Sequence, residues 1–580
     1  MTRSALAAVI AATILTMPLA AARADVVDDC VGAADPNLRI DGCTAVLEFD
    51  GIAQSDLAAI HANRGIAYVQ LGGFAQAIED FDEAIRLGLE SPILYFHRGL
   101  AFFELGDYRR AIEDNDAAIR LDPNFASTYR IRGNAYGQLG EYERAIEDYG
   151  QAIDLEPDNP VNHYNRGLAY RNLGDFQQAL QDYGDALRLD PDYVAAYVNR
   201  GLIYRELGDY GLAIENYNEA LRIAPDLALA YNNRGLALDD LGEYLQAIED
   251  YDEAIRLASD FALAYSNRGL AYAHLGQDQR AIEDFDQAIR IDPSTAPAYQ
   301  NRGLAYARLG DDRRAVQDYD EAIRLGPGSA ELHNVRGIAH HRLGAHERAF
   351  EDFDAAIRLD PDNAVIRANR GLLNYEAGEY QLAIQDYDEA VRLDPGNDLV
   401  YNDRGSCYGA LGDYERAIED YNRALDINPE FVMAYFNRGG MYIFLGEEGP
   451  AVEDFEEALR RYDGPPDQRA GVLVDLATQL YANDHADIAL PYADQALGQS
   501  PHSPDAMTIR AHIYAALGRS DDALAEFERA ISVGGAEVVR QVQQALTEHG
   551  YAPVGPDGDY AAETRAALEA CLQAGCRLLH

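Results

Sequence analysis

Small and apolar residues recur along this chain on a fixed beat. In residues 160–193, Leu168, Tyr170 and Leu173 mark a first segment, and Ala179, Leu180, Tyr183, Ala186 and Leu187 recur at steps of three and four in a second. Such steps place side chains on one helical face, so two helices are predicted. Gly174 ends the first, where a left-handed residue is wanted. Asp175 caps the second, and Asp190-Pro191 stops it. The unit is a helical hairpin. Its beat, the step from Gly133 to Gly167, runs from Gly65 to Gly439 without an insertion.

With Pro160 as position 1, Gly at position 8 and Ala at positions 20 and 27 stand in all twelve regular units. An aromatic at position 24 lapses only at Asn115. A strict period means one small unit copied and stacked, not a globe around a central active site. The pattern resembles the tetratricopeptide repeat family. The resemblance implies an all-α fold: a solenoid of helical hairpins wound as a right-handed superhelix. Twelve regular units span residues 58–465. After extra residues around Asp463-Gly464-Pro465-Pro466, two degenerate units span 466–535; Ala477, Ala489 and Ala496, then Ala511, Ala523, Phe527 and Ala530, keep the beat. Residues 25–57 read as an N-terminal cap and 536–580 as a small helical module.

Position 7 is Arg in all twelve regular units, and position 23 is Asp in eleven, Asn216 being the exception. In the first degenerate unit both charges vanish together, as Leu476 and Tyr492; in the next both return, as Arg510 and Glu526. Pairing of each Asp with the following unit would set Arg64 against Val46 and Arg510 against Tyr492. Ion pairs within one unit are therefore expected: Arg166 with Asp182, Arg234 with Asp250 and Arg268 with Asp284.

Position 6 is Asn in eight units, one residue from the Arg and so on another face. The run Asn165, Asn199, Asn233, Asn267 and Asn301 is unbroken. It resembles the asparagine ladder of the O-linked N-acetylglucosamine transferase solenoid, which implies a clasp on extended polypeptide backbone in a concave groove. A side-chain amide offers both a donor and an acceptor, so a row of them can hold any backbone. Leu168, Leu202, Leu236, Leu270 and Leu304, at position 9, add an apolar stripe. The other reading is that these amides bond locally to a neighbouring helix.

The ends of the chain bear on location. Arg3, an apolar run over residues 5–22 and the small-x-small step Ala22-Arg23-Ala24 read as a secretory signal, residues 1–24. The mature chain is expected to begin at Asp25, in a periplasm or outside the cell. Local cysteine pairs, Cys30 with Cys43 and Cys571 with Cys576, suit staples at the two ends of a stack in an oxidising compartment. Cys407 stands alone inside a repeat and is expected to be buried. In the last module, the helix around Val542, Gly550-Tyr551, the Asp557-Gly558 turn, Tyr560 and the helix carrying Thr564, Ala567 and Leu568 resemble the peptidoglycan-binding domain family. That resemblance points to Tyr551, Asp557 and Tyr560 as wall contacts. Ala561 and Cys571 stand where that family has Gly and Phe.

The formal net charge is −50, from 98 acidic and 48 basic residues, and no Lys is present. Such a field disfavours nucleic acid and favours basic partners. His333 and His340 share one helix face, but position 11 is elsewhere mostly Tyr, so a core histidine is expected there and no metal site. No nucleophile–base pair, phosphate loop or zinc motif occurs, so neither catalysis nor a cofactor is expected. The sequence thus points to a non-enzymatic scaffold that holds a protein segment, with the C-terminal module near peptidoglycan. The alternative is a glycan-binding protein or an activator of a cell-wall enzyme.

Overall fold

The computed structural model describes residues 20–551 and 558–576, with 31 helical segments and no strand among them. Residues 1–19 of the expected signal, residues 1–24, and the expected contact Asp557 lie outside the described residues. The chain divides into two compact units, Met1–Ala305 and Tyr306–His580, and the division falls inside the helix Ala296–Arg308.

The first unit opens with a two-helix cap, Ala20–Gly32 and Pro36–Leu47. The first of these helices runs straight through the Ala24–Asp25 step at which the mature chain was expected to begin. Asp35 caps the second by accepting from the Asn37 N–H. A Cys30–Cys43 disulfide joins the two helices, and both cysteines pack with Val27, Val46 and Ile60, which ties the cap to the first repeat. That repeat's first helix starts at Gln54, one turn ahead of the beat.

The hairpins follow from the pattern. In the type unit, helices Pro160–Asn172 and Phe176–Leu189 flank Gly174, whose φ of +79° makes the turn. Asp175 accepts from the Gln178 N–H at 3.2 Å and starts the second helix. Gly at position 8 and the aromatic at position 24 are two halves of one contact. A Cβ on Gly167 would lie 2.9 Å from Tyr183 Cε1, and one on Gly235 2.7 Å from Tyr251 Cε1. The ring lies directly on the backbone of the opposite helix, so no larger residue fits at position 8 unless the ring moves. At the one lapse, Asn115 fills the ring's place and its amide donates to the Ala111 carbonyl at 2.7 Å.

The second unit continues with hairpins of the same kind through Pro466–Ala482 with Ala486–Gln499, and Pro504–Ala516 with the start of Ser520–Glu548. Gly535, at φ +62°, breaks that last segment in two. Val538, Val539, Val542 and Leu546 follow the break; with Leu568, Cys571 and Leu572 of helix Ala562–Gln573 they share one core with Phe527 and Ile531 of the last repeat. Gln543 is buried at the centre of this module. It donates to the Asp559 carbonyl and Thr564 Oγ1 and accepts from the Gly558 N–H. A Cys571–Cys576 disulfide closes the end. The module is therefore docked on the last repeat, with Arg565 bonded to Glu528 at 2.6 Å and Ser520 Oγ to the Leu572 carbonyl at 3.0 Å. Cys407 is buried and free, and burial pushes its thiol up to about 12, so it is a weak nucleophile.

His512 sits in the same core, edge-on to Phe527 with ring centroids 5.0 Å apart. Burial pushes it down to about 3. The unfolded chain therefore takes up a proton near pH 6.5 that the folded chain refuses, and stability falls as the pH drops below that value. From pH 7 to pH 5 this residue should cost ~2 kcal/mol. Denaturant titrations of wild type and His512→Phe at both pH values check this. The variant should lose less stability on acidification, and an equal loss would show that His512 is not the acid-sensitive group.

Candidate functional site

Two columns of polar side chains run along the first helices of the hairpins, and the structure gives them different work. In the Arg column, Arg234 Nε and Nη2 donate to Asp250 Oδ2 and Oδ1 at 2.8 and 2.5 Å, across its own hairpin. Its Nη1 donates to Asn218 Oδ1 at 2.6 Å, on the second helix of the preceding hairpin. Arg268 does the same with Asp284 and Asp252, and Arg404 with Asp420 and Asp388. Arg166 grips Asp182 at 2.8 and 2.7 Å but has Gly150 where the preceding acid would stand. Arg200 meets Asn216 at 2.6 Å.

The inter-hairpin partner at position 25 is missing from the sequence reading. Its signal is present: Asp82, Asp116, Asp252, Asp286, Asp320, Asp354 and Asp388 each precede an Arg of the column at one fixed spacing. The within-hairpin Asp follows that Arg at the same spacing. Asp182, Asp250 and Asp284 are all but fully buried. Burial pushes Asp284 up, against the opposing pull of Arg268. The Asp284 hydrogen bond holds Arg268 above its ordinary range, with Asp252 adding to it. Tyr231 and Tyr265 lie beside Arg234 and Arg268, with ring centroids 5.4 and 5.6 Å from the guanidinium carbon. These guanidiniums are directed at acids and amides of the fold.

The Asn column is partly committed to neighbours. Asn165 Nδ2 donates to Asn134 Oδ1 at 3.1 Å, and Asn267 Nδ2 to Asn232 Oδ1 at 2.9 Å, each on the preceding hairpin's first helix. Asn199 donates to the Tyr164 hydroxyl and the Ala195 carbonyl, and accepts from Arg171 at 3.0 Å. Asn233 is buried and Asn301 half-buried. The local reading of these amides is thus realised at Asn165, Asn199 and Asn267, because the first helix of the hairpin before carries an acceptor in Asn134, Tyr164 and Asn232. Leu168, Leu202, Leu236, Leu270 and Leu304 are half-buried. Leu202 packs with the Tyr217 cluster, and Leu236 with Tyr251.

The most exposed apolar residues of this face lie instead at position 2. Leu229 and Leu263 in the first unit, and Val365, Leu399 and Met433 in the second, are 48–58 % exposed. No one of them stands out in the sequence, because one apolar residue near a helix start carries no periodic signal. Charged pairs at positions 12 and 13 flank the amides: Arg205 with Asp240 at 2.6 Å, and Asp239 with His274 at 3.6 Å.

The other sequence candidates fall as follows. Tyr551 is half-buried against the module core, and the Tyr560 hydroxyl donates to Glu528 of the last repeat at 3.3 Å. The Tyr560 hydroxyl is thereby committed to the last repeat. His333 Nδ1 and His340 Nε2 lie 3.2 and 3.9 Å from Asp352, which Arg336 also grips. His163, Asp182 and Asp185 offer ligand atoms within 4.8 Å of one another. Asp182 is already held by Arg166 and Asp185 by Arg188, so a metal there would displace two arginines.

Gly150 supplies a test of the rung. A Cβ there would lie 4.0 Å from Arg166 Nη1. Gly150→Asp should raise stability by ~0.5–1 kcal/mol, by restoring the inter-hairpin pair and removing a helical Gly. Gly150→Lys should gain less or lose, although Lys is the better helix former. Equal gains in thermal denaturation would show that no charge is read at this position.

Tetratricopeptide repeat models match residues 63–124, 164–228, 232–296, 301–364, 351–398 and 474–536, and others match 399–431 and 434–463. A TPR repeat model matches 133–174. No curated protein matches the chain. Among solved structures, YrrB, described as a TPR protein with an unusual peptide-binding site, is 24 % identical; the match covers 32 % of this chain and 96 % of YrrB, with a TM-score of 0.30. MamA from Desulfovibrio magneticus is 25 % identical over 29 % of this chain and 96 % of its own, with a TM-score of 0.28. Yeast Tom70 is 16 % identical over 78 % and 98 %, with a TM-score of 0.32.

Proposed function

This chain belongs to the tetratricopeptide repeat family, and on that footing we propose that it is a non-enzymatic scaffold that holds a segment of another protein on the first-helix face of its repeats. The observation that carries this is the mixed character of that face. Asn165 and Asn267 direct their amide N–H to the neighbouring hairpin, which leaves their oxygens as acceptors for backbone N–H groups of a bound polypeptide. Exposed Leu229 and Leu263 stand on the same helices as Asn233 and Asn267 and suit apolar side chains of that polypeptide. The acidic balance of the chain favours a basic partner.

We place the protein in a periplasm or outside the cell. The signal-like residues 1–24 and the two terminal cysteine pairs support this. The docked C-terminal module serves first as an end-cap, because its core is continuous with that of the last repeat. Contact with peptidoglycan is the second reading, and the alternative of a wall-enzyme activator depends on it. It rests on the sequence resemblance and would run through Tyr551 and the segment that carries Asp557.

Crosslinking in the exporting cell, followed by mass spectrometry, identifies the partner, and calorimetry measures its affinity. Asn165→Ala with Asn267→Ala should keep the helicity and weaken binding by ~0.5–1.5 kcal/mol per amide. Unchanged affinity would remove the amides from the site. Sedimentation with purified sacculi decides the second reading: the full chain should pellet and a chain ending at residue 535 should not. Equal behaviour would leave the module as an end-cap alone.

A further inference from the structure

In the second unit a carboxylate interrupts the amide column. Asn369 donates to Asn334 at 2.9 Å, as elsewhere in the column. One hairpin later position 6 is Asp403, which has no N–H to give, and position 5 of the hairpin before is Ala368, which has no side-chain acceptor. The neighbouring amides keep the bonds seen at Asn267, Asn232 and Asn233, so that the last of them falls on Asp403. Asn437 Nδ2 donates to Asn402 Oδ1 at 2.9 Å, and Asn402 Nδ2 donates to Asp403 Oδ1 at 3.1 Å.

The acids around it are matched with arginines: Asp386 with Arg370, Asp420 and Asp388 with Arg404, Asp354 with Arg370. Asp403 is half-buried, and the neutral amide of Asn402 is the side chain that bonds it. Burial pushes it up, and no cation among the described residues opposes that. Tyr387 is 1 % exposed and its hydroxyl has no hydrogen-bond partner, as at Tyr183, Tyr217, Tyr251 and Tyr319. After burial itself, the Asp403 charge is the largest influence on that hydroxyl. The exposed apolar side chains Val365, Leu372, Leu399 and Met433 stand on the same three first helices, 39–58 % exposed.

We propose that Asp403 is the subsite for one Lys or Arg side chain of the bound polypeptide, with apolar residues on either side of that cation resting on Leu372, Leu399 and Met433. This rests on the reading that the first-helix face holds a polypeptide. A half-buried carboxylate without a counter-ion is costly to keep charged, and an incoming cation offsets that cost by direct attraction, at the expense of part of its own hydration. The strongly acidic chain draws such a partner in, and the apolar side chains fix which part of it stays.

The probes are two fluorescent, end-blocked pentapeptides, Ser-Leu-Arg-Leu-Ser and the same peptide with citrulline for Arg, titrated against the full chain by anisotropy. Wild type should bind the Arg peptide about tenfold more tightly than the citrulline peptide. Asp403→Asn, which keeps the shape and the Asn402 contact, should bind the two alike and melt no lower than wild type. If wild type binds both peptides equally, the Asp403 subsite is wrong and the polypeptide-binding face stands. Discrimination that survives in Asp403→Asn also overturns the subsite. Binding of neither peptide overturns both.

Discussion

One guanidinium at position 7 ties three helices together. It is carried on the first helix of its hairpin, grips a buried Asp on the second, and reaches back to an acid or amide on the second helix of the hairpin before. Arg268 with Asp284 and Asp252, and Arg404 with Asp420 and Asp388, show the complete arrangement. The buried Asp depends on that Arg, because an ionised carboxylate without its partner is among the most costly groups to enclose. The ring at position 24 presses on the Gly at position 8, the residue next to the Arg, so packing and charge fix the same point of the helix. A stack of hairpins needs such a device, since each hairpin contacts only its neighbours and cannot rely on a common core.

This arrangement explains why the Arg and Asn columns, adjacent in sequence, diverge in use. The arginines at position 7 turn to the seam between helices. The asparagines at position 6 turn to the first-helix face, where their N–H groups join hairpin to hairpin. What that face can still offer a ligand is acceptor oxygens, scattered apolar side chains and, at Asp403, a charge that the fold does not neutralise. At the C-terminus the same logic of burial operates differently. Gly535 lets the chain turn without a loop, and Gln543 ties the last helix and its turn together while the module's apolar side closes the end of the stack.

The hairpins were legible because a strict period writes every structural decision into copy after copy. Gly174, Asp175 and Tyr183 stand where the pattern puts them, and the Arg234–Asp250 contact follows from covariation between copies. The inter-hairpin acid escaped because the within-hairpin Asp already accounts for each Arg. Asp252 lies as far before Arg268 as Asp284 lies after it. The amides were harder to read. Whether Asn267 faces a ligand or Asn232 depends on a residue one hairpin away, and that proximity belongs to the packing of two helices. Residues at the second position, such as Leu399 and Met433, show no periodicity within a helix, so their exposure emerges only in three dimensions. The Tyr560 contact is hidden for a related reason: its motif says nothing of Glu528, which lies in another element.

The central claim is that the Arg rung holds each hairpin closed. A double-mutant cycle on Arg404 and Asp420, measured by denaturant unfolding, tests it most directly. Either Arg404→Leu or Asp420→Leu alone should cost ~3–5 kcal/mol, and the double variant should regain much of that loss, because the penalty lies in the stranded charge. Losses that simply add would contradict the account and reduce the rung to two independent side chains.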